Sequence, residues 1–409
     1  MEHRNYDPAR DREAVHRIWR EVGWLEKGQE EALDLEVACS RALVADLNGE
    51  AECLVTTLPG TIRYLAEDLP LSCVISVTTS RIARKQRFAI QLTALAVAAD
   101  AAQGALVSAL GMFEQGYYNQ IGFGTLGYSH RITFDPTQLT VPTKARVPRR
   151  LSPEDWAMVH ASRLARQRGH GACTLLPAEF TRAAMLYVKN GFGLGYGDGP
   201  HGELTHHFWC GTRNVSHGPY WVEWLVFQTP EQFLELMALI KSLGDQVHLV
   251  SVDEPAGIQL QDLLERPFRY REVTEKSQFE HQMRAWARMQ ARICDLPGCL
   301  ARTHLRGGEV RFNLRLADPI GPVLENRGPW RGCAGDYVVT LGPSSGAERG
   351  RDAALPMLRA SVGAFTRLWL GVRPATGLAV TDDLSGPREL LEELDRLLRL
   401  PDPHPDWDF

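Results

Sequence analysis

From Asp11 to Glu21 the apolar side chains fall on one face of a 3.6-residue period, with Val15, Ile18, Trp19 and Val22 forming the stripe, so this stretch predicts an amphipathic helix. The next two apolar runs, Ala42–Asp46 and Ala51–Thr57, predict strands, and Asn48-Gly49 between them is a hairpin turn. Leu71–Thr79 reads as a strand, Ala89–Ala102 as a helix and Gly104–Leu110 as a short apolar strand. Gln115–Gln120 then reads as a short helix ending near Gly122, and Tyr128–Phe134 as a closing strand. Strands alternating with helices in this order predict an α/β unit.

The segment VPTKARVPRRLSPED breaks the pattern and leads into a helix capped at Ser152 or Asp155. A second α/β stretch follows: strand Tyr220–Phe227, helix Pro230–Ser242, strand Val247–Asp253. From about Met289 the texture changes. Strand-like runs at Cys299–Leu305, Glu309–Leu316 and Gly335–Thr340 precede helices at Ala353–Phe365 and Pro387–Leu398, an α+β order. The final LPDPHPDWDF holds three prolines and predicts no regular structure. The expected fold class is therefore α/β and α+β, divided at 1–145, 146–285 and 286–400, with a tail at 401–409.

Composition narrows the function. A chain of 409 residues predicts two or three domains, and 44% apolar residues suffice for a core in each. A net charge of −5 argues against a nucleic-acid binder, which presents a basic face. None of the eight cysteines forms a CxxC pair, so the expectation is free thiols in a reducing compartment, hence a cytoplasmic protein without metal. His206-His207 and the other histidines show no carboxylate or cysteine set nearby in sequence. The charged start carries no signal-peptide pattern, and Gln91, Thr93, Asp100 and Gln103 interrupt the apolar run Phe88–Gly111, so no membrane role is expected.

Two local patterns carry the chemistry. VISVTTSRIARKQRFAIQL is a strand entering a basic turn and then a helix. Unpaired N–H groups and the helix dipole at such a start attract a pyrophosphate, and Arg81, Arg84, Lys85 and Arg87 add charge beside it. FEQGYYNQIGFG places Tyr118 on a short helix ending at Gly122. LYVKNGFG at 186–193 mimics this second pattern, but no basic turn precedes it, and it reads as coincidence. Trp19 reads as core, and Trp24 as a pocket wall able to meet an amine by cation–π contact.

Together these motifs resemble the GCN5-related N-acetyltransferase superfamily, and within it the enhanced intracellular survival family. Arg84, Arg87 and Ala89 stand at the three defining positions of the family's phosphate turn, and Tyr117 to Phe123 match its aromatic-Tyr-x-x-x-Gly-Phe segment. The resemblance implies tandem acetyltransferase-like domains, the second degenerate, followed by a sterol-carrier-protein-like domain, in a homo-oligomer, a hexamer. It also implies acetyl-CoA as acyl donor, held by Val77, Thr79, Arg84, Lys85, Arg87, Phe88 and Ala89, with transfer to a primary amine of aminoglycoside, polyamine or lysine type. Tyr118 would be the general acid. The terminal carboxylate of Phe409, returned to the first domain by the tail, would be the general base. Trp24, Glu114 and Asp408 would attract the amine. Arg87 departs from the family pattern, which has glycine there. The alternative reading is therefore a non-catalytic scaffold with an impaired CoA site, binding an apolar ligand or a protein partner.

Overall fold

The structure, a computed structural model, describes residues 2–266, 280–325 and 327–409. Its strands form three sheets. The first runs Glu2–Asn5, Arg41–Leu47, Glu50–Tyr64, Glu67–Thr79, Val107–Gly111, Met289–Ile293 and Gly124–Thr125, with Cys173–Leu175 added against Gly60–Ile62. The Asn48-Gly49 turn forms because both residues adopt the positive φ a two-residue hairpin requires, 56° and 91°. Helix Pro8–Val22 begins at an Asp7 cap and buries Val15, Ile18 and Trp19.

Two expectations about sheet membership fail. The strand read as closing the first sheet is Ser129–Phe134, and it lies in the second, between Val250–Asp253 and Gln282–Trp286. Its period-2 pattern buries Ile132 and Phe134 against the apolar face of helix Pro230–Ser242, including Leu236 and Ile240. Alternation specifies which face a strand buries, not which sheet it joins. The first sheet takes Met289–Ile293 instead, from beyond the expected boundary at 285/286, and every residue of that strand is buried. Strands from both sides of 145/146 and 285/286 thus share sheets.

The third sheet orders Gly346–Arg349, Gly335–Leu341, Val310–Ala317, Met357–Ser361 and Leu384–Ser385, backed by helices Val362–Trp369, Ala375–Thr381 and Arg388–Leu397. Two elements here differ from the reading. Cys299–Leu305 is not a strand: Leu296–Leu300 is a helical turn whose Asp295 cap accepts from the Gly298 N–H. Ala353–Phe365 splits, because Met357–Ser361 pairs in parallel with Val310–Ala317 and Ser361 then caps the helix that starts at Val362. A common core joins the first and third sheets, and Tyr64 stacks on Trp369 with ring centroids 4.5 Å apart. All eight cysteines are free, seven of them buried. No described helix is long and apolar enough to cross a membrane.

Candidate active site

Strands Glu67–Thr79 and Val107–Gly111 are parallel, but they pair only from Leu71↔Val107 to Val74↔Leu110. On the other side of Glu67–Thr79 the register slips: Thr57 faces Val74, whereas Thr56 faces Ser76, so Ile75 is the extra residue of a bulge. A bulge bends its strand and re-aims side chains, and such irregularities recur beside active sites. Where the parallel pairing ends, a cavity of about 650 Å³ opens between Val74–Val77 and Leu110–Met112. Val77 is in its wall. Thr79 is not: its hydroxyl shares a hydrogen bond with the Cys53 thiol at 3.3 Å.

The strand leads into the turn before helix Phe88–Ala102. Arg87 is the N-cap residue at φ 66°, its side chain caps nothing, and the first intrahelical bond is Gln91 N–H to the Arg87 carbonyl. The helix therefore presents unpaired N–H groups to solvent. Arg84, Lys85 and Arg87 are exposed and form no ion pair among the described residues, so their charge is available to an anion. Arg81 is tied to Glu21, whose carboxylate accepts its backbone N–H at 2.8 Å. Phe88 needs correction, since its ring is buried in the core with Ile121 and Phe123 and only its backbone can meet a ligand. Ala89 is half-buried in the first helical turn.

Tyr118 opens the 3-10 turn Tyr118–Ile121, which closes on Gly122 at φ 85°. Neighbouring segments hold this turn. Asn119 Oδ1 accepts from the Gly116 N–H and from Gln290 Nε2. Buried Arg292, paired with buried Asp318 at 2.6 Å, donates to the Ile121 carbonyl. Tyr118 lines the cavity, and burial pushes its phenol well above its ordinary value, so it stays protonated. Trp24 is also in the wall, 5.5 Å from exposed Phe113. Trp19, read as core, is buried and also reaches the cavity. Glu114 is exposed and off the cavity wall, so the structure does not bring it to the site.

The tail runs along the second and first sheets. The His404 N–H donates to the His170 carbonyl, and Asp406 takes both arms of Arg166 at 2.8 and 2.7 Å. Trp407 is buried with Arg163 3.7 Å from its ring, and Arg163 has Trp224 on another side at 4.3 Å. Asp408 pairs with Arg288 at 2.5 Å, and Asp408 and Phe409 both line the cavity. A Cβ on Gly111 would stand 2.9 Å from the Phe409 main-chain oxygen, so only glycine leaves room for this close approach.

Three polar wall residues that sequence reasoning missed bear on the chemistry. Glu36 is buried and accepts from the Ser76 hydroxyl at 2.5 Å; burial pushes its carboxyl up to about 7. Its signal was a glutamate among the apolar positions of Glu30–Ala38. Tyr187, within the segment read as coincidence, stacks on Trp19 at 6.1 Å and lines the same cavity. Arg288 holds Asp408. The histidine reading also changes. His206 sits with Asp198 and Glu235 in a group compact enough for a cation, but Arg146 already bridges both carboxylates at 2.7 and 2.8 Å.

The second sheet repeats the splay. Tyr220–Val226 and Val250–Asp253 pair in parallel only at Tyr220↔Val250 and Trp221↔Ser251, and a cavity of about 590 Å³ opens beyond them. The following helix starts at Pro230, with Thr229 accepting from the Gln232 N–H. Glu223, Asp253 and Glu254 line this cleft, and its three arginines, Arg166, Arg168 and Arg288, are already paired with Asp406, Asp68 and Asp408, so no uncommitted cation there faces a phosphate.

No family profile matches the chain, and no curated protein sequence does. Solved structures do. A protein of unknown function from Enterococcus faecalis, described as a probable N-acyltransferase, aligns at TM-score 0.79 and 16% identity over 100% of this chain and 99% of its own. A GCN5-related N-acetyltransferase from Anabaena variabilis aligns at 0.75 and 14% identity over 98% of each chain. Eis1 from Mycobacterium abscessus aligns at 0.75 and 17% identity over 100% of each. The chain has the fold of the GCN5-related N-acetyltransferases. The likeness extends along the whole length, so the shared fold is not limited to the motif-bearing first segment.

Proposed function

We propose that the protein is an N-acetyltransferase that moves an acetyl group from acetyl-CoA to a primary amine of aminoglycoside, polyamine or lysine type. The observation that carries this reading is the cavity at the end of the Glu67–Thr79/Val107–Gly111 pairing, lined by Val77, Tyr118, Asp408 and Phe409, on a strand that leads through the basic turn into a helix start with unpaired N–H groups. Arg84, Lys85 and the main-chain N–H groups of Arg87, Phe88 and Ala89 would hold the pyrophosphate. Main-chain groups near Val77 would orient the thioester. Tyr118, kept protonated by burial, would protonate the departing thiolate, and the Phe409 carboxylate would take a proton from the attacking nitrogen. Trp24 and Asp408 would receive the cationic acceptor.

The two splayed parallel pairs support a tandem arrangement in which only the first cleft has kept its phosphate turn; the third unit would be sterol-carrier-like, and the assembly a cytoplasmic homo-oligomer. Left-handed Arg87 favours a second reading, a scaffold whose CoA site is closed. Thermal unfolding with acetyl-CoA separates the two. Saturation at 100 times Kd adds about 2.7 kcal/mol of stability and raises Tm. Thiol release on adding amines then confirms transfer, whereas a Tm indifferent to acetyl-CoA leaves the scaffold reading standing.

A further inference from the structure

The cavity wall contains a carboxyl group that has no ion-pair partner among the described residues. Glu36 lies on helix Glu30–Ala38, in the cavity wall, and its partner is the Ser76 hydroxyl at 2.5 Å, on the bulged stretch of the splayed strand. The charged groups on the surrounding elements are engaged elsewhere. Arg182 pairs with Glu31, Arg12 and His16 with Asp34, and Arg41 with Asp100. Glu179 contributes only negative charge, and burial pushes the Cys39 thiol up to about 11, leaving it neutral. The Tyr187 hydroxyl is buried facing Glu36 without closing a hydrogen bond of normal geometry, and Trp19 Nε1 in the same wall has no partner. Hydrogen-bonding capacity therefore remains unspent in the wall of a cavity that, as an acetyltransferase site, would receive an ammonium group.

We propose that Glu36 is the base that first deprotonates the acceptor: it receives the substrate ammonium and takes one of its protons before attack. This rests on the amine-acetylation reading above. A primary ammonium enters with three N–H bonds and leaves as an amide with one, so two protons must be removed. The first passes to Glu36, and the freed lone pair forms the C–N bond. The C–S bond breaks with its electron pair on sulfur, and the Tyr118 proton goes to the thiolate. The second nitrogen proton passes to the Phe409 carboxylate, from which Tyr118 is restored. Glu36 returns its proton to solvent, so each turnover releases one proton and one CoA thiol. Moving a proton from an ammonium of pKa ~10 to an ordinary carboxylate is uphill by roughly six pH units. Burial halves that gap by holding Glu36 near 7.

The test compares wild type with Glu36→Gln in thiol release from acetyl-CoA across the pH range, with spermidine, neomycin, a lysine peptide and hydroxylamine as acceptors. The amide keeps an oxygen for Ser76, so the fold is expected to hold. Glu36→Gln should lose about 100-fold or more in kcat/KM on the three ammonium acceptors. It should also lose the ascending limb near neutrality and bind acetyl-CoA unchanged by calorimetry. Hydroxylamine, largely unprotonated at neutral pH, should be acetylated at the wild-type rate once its spontaneous reaction with the thioester, measured without enzyme, is subtracted. Ser76→Ala, which removes the donor that favours the ionised carboxyl, should shift that limb to higher pH. An unchanged pH limb in both variants, or an equal loss on hydroxylamine, overturns the role of Glu36 while leaving the enzyme reading intact. A wild type that acetylates none of the acceptors overturns both.

Discussion

Phe409 and Gly111 approach so closely that a side chain at position 111 would collide with the main-chain oxygen of position 409: the Cβ would stand 2.9 Å away. This contact fixes the end of the tail against the strand Val107–Gly111 that forms one wall of the cavity. Gly111→Ala is expected to push Phe409 outward and reduce kcat, with acetyl-CoA affinity nearly unchanged. Appending one glycine after Phe409 moves the carboxylate by about 3.5 Å, outside proton-transfer range. That variant should lose turnover with an almost unchanged Tm, because Trp407 and Asp406 keep their partners. Full activity with the added residue removes the carboxylate from the mechanism.

Arg87 occupies a left-handed conformation, φ 66°, at the start of helix Phe88–Ala102. A non-glycine residue there costs roughly 1 kcal/mol, part of which glycine would return through its greater freedom in the unfolded chain. Arg87→Gly should therefore leave stability unchanged or raise it by up to about 1 kcal/mol, and should tighten acetyl-CoA binding by removing the Cβ beside the helix N–H groups. Calorimetry on both forms decides the sign. Weaker binding in the variant would identify the guanidinium as a phosphate ligand.

Tyr118→Phe keeps the ring packed on Phe123 and Tyr117 and deletes only the proton donor. A positioned general acid contributes about 100- to 10,000-fold. The expected result is a fall in kcat within that range at nearly constant KM, read from steady-state kinetics. A kcat equal to wild type would exclude Tyr118 as the acid.

Glu36 also links stability to pH. Its carboxyl titrates near 4.5 unfolded and near 7 folded, so between those values the folded state holds a proton that the unfolded state has released. Stability from this group is complete below about pH 4.5, declines as pH rises towards 7 and is flat above it. Glu36→Gln removes the decline. The variant should match wild type at acidic pH and exceed it by up to roughly 3 kcal/mol at pH 8, since one pKa unit is about 1.4 kcal/mol. Denaturant melts at the two pH values measure this directly.

The sequence by itself determined the local elements. Asn48-Gly49 dictated a hairpin, the Val15–Val22 stripe a half-buried helix, and the basic turn into Phe88–Ala102 a helix start with exposed charge, because turn chemistry and hydrophobic period act over a few residues. Tyr118 was legible for the same reason, its whole motif lying within seven residues. The tertiary structure decided which elements share a sheet and which side chains share a cavity. Ser129–Phe134 and Met289–Ile293 satisfy their burial pattern in any sheet with an open edge, and only the packing of Pro230–Ser242 and Val362–Trp369 selected the partners. Tyr187 and Phe409 reach the cavity from about 70 and 290 residues beyond Tyr118, and Glu36 from about 80 before it. No local signal encodes such distances. What makes Glu36 unusual, a carboxyl buried against Ser76 and Tyr187 from elsewhere in the chain, exists only once those segments have met.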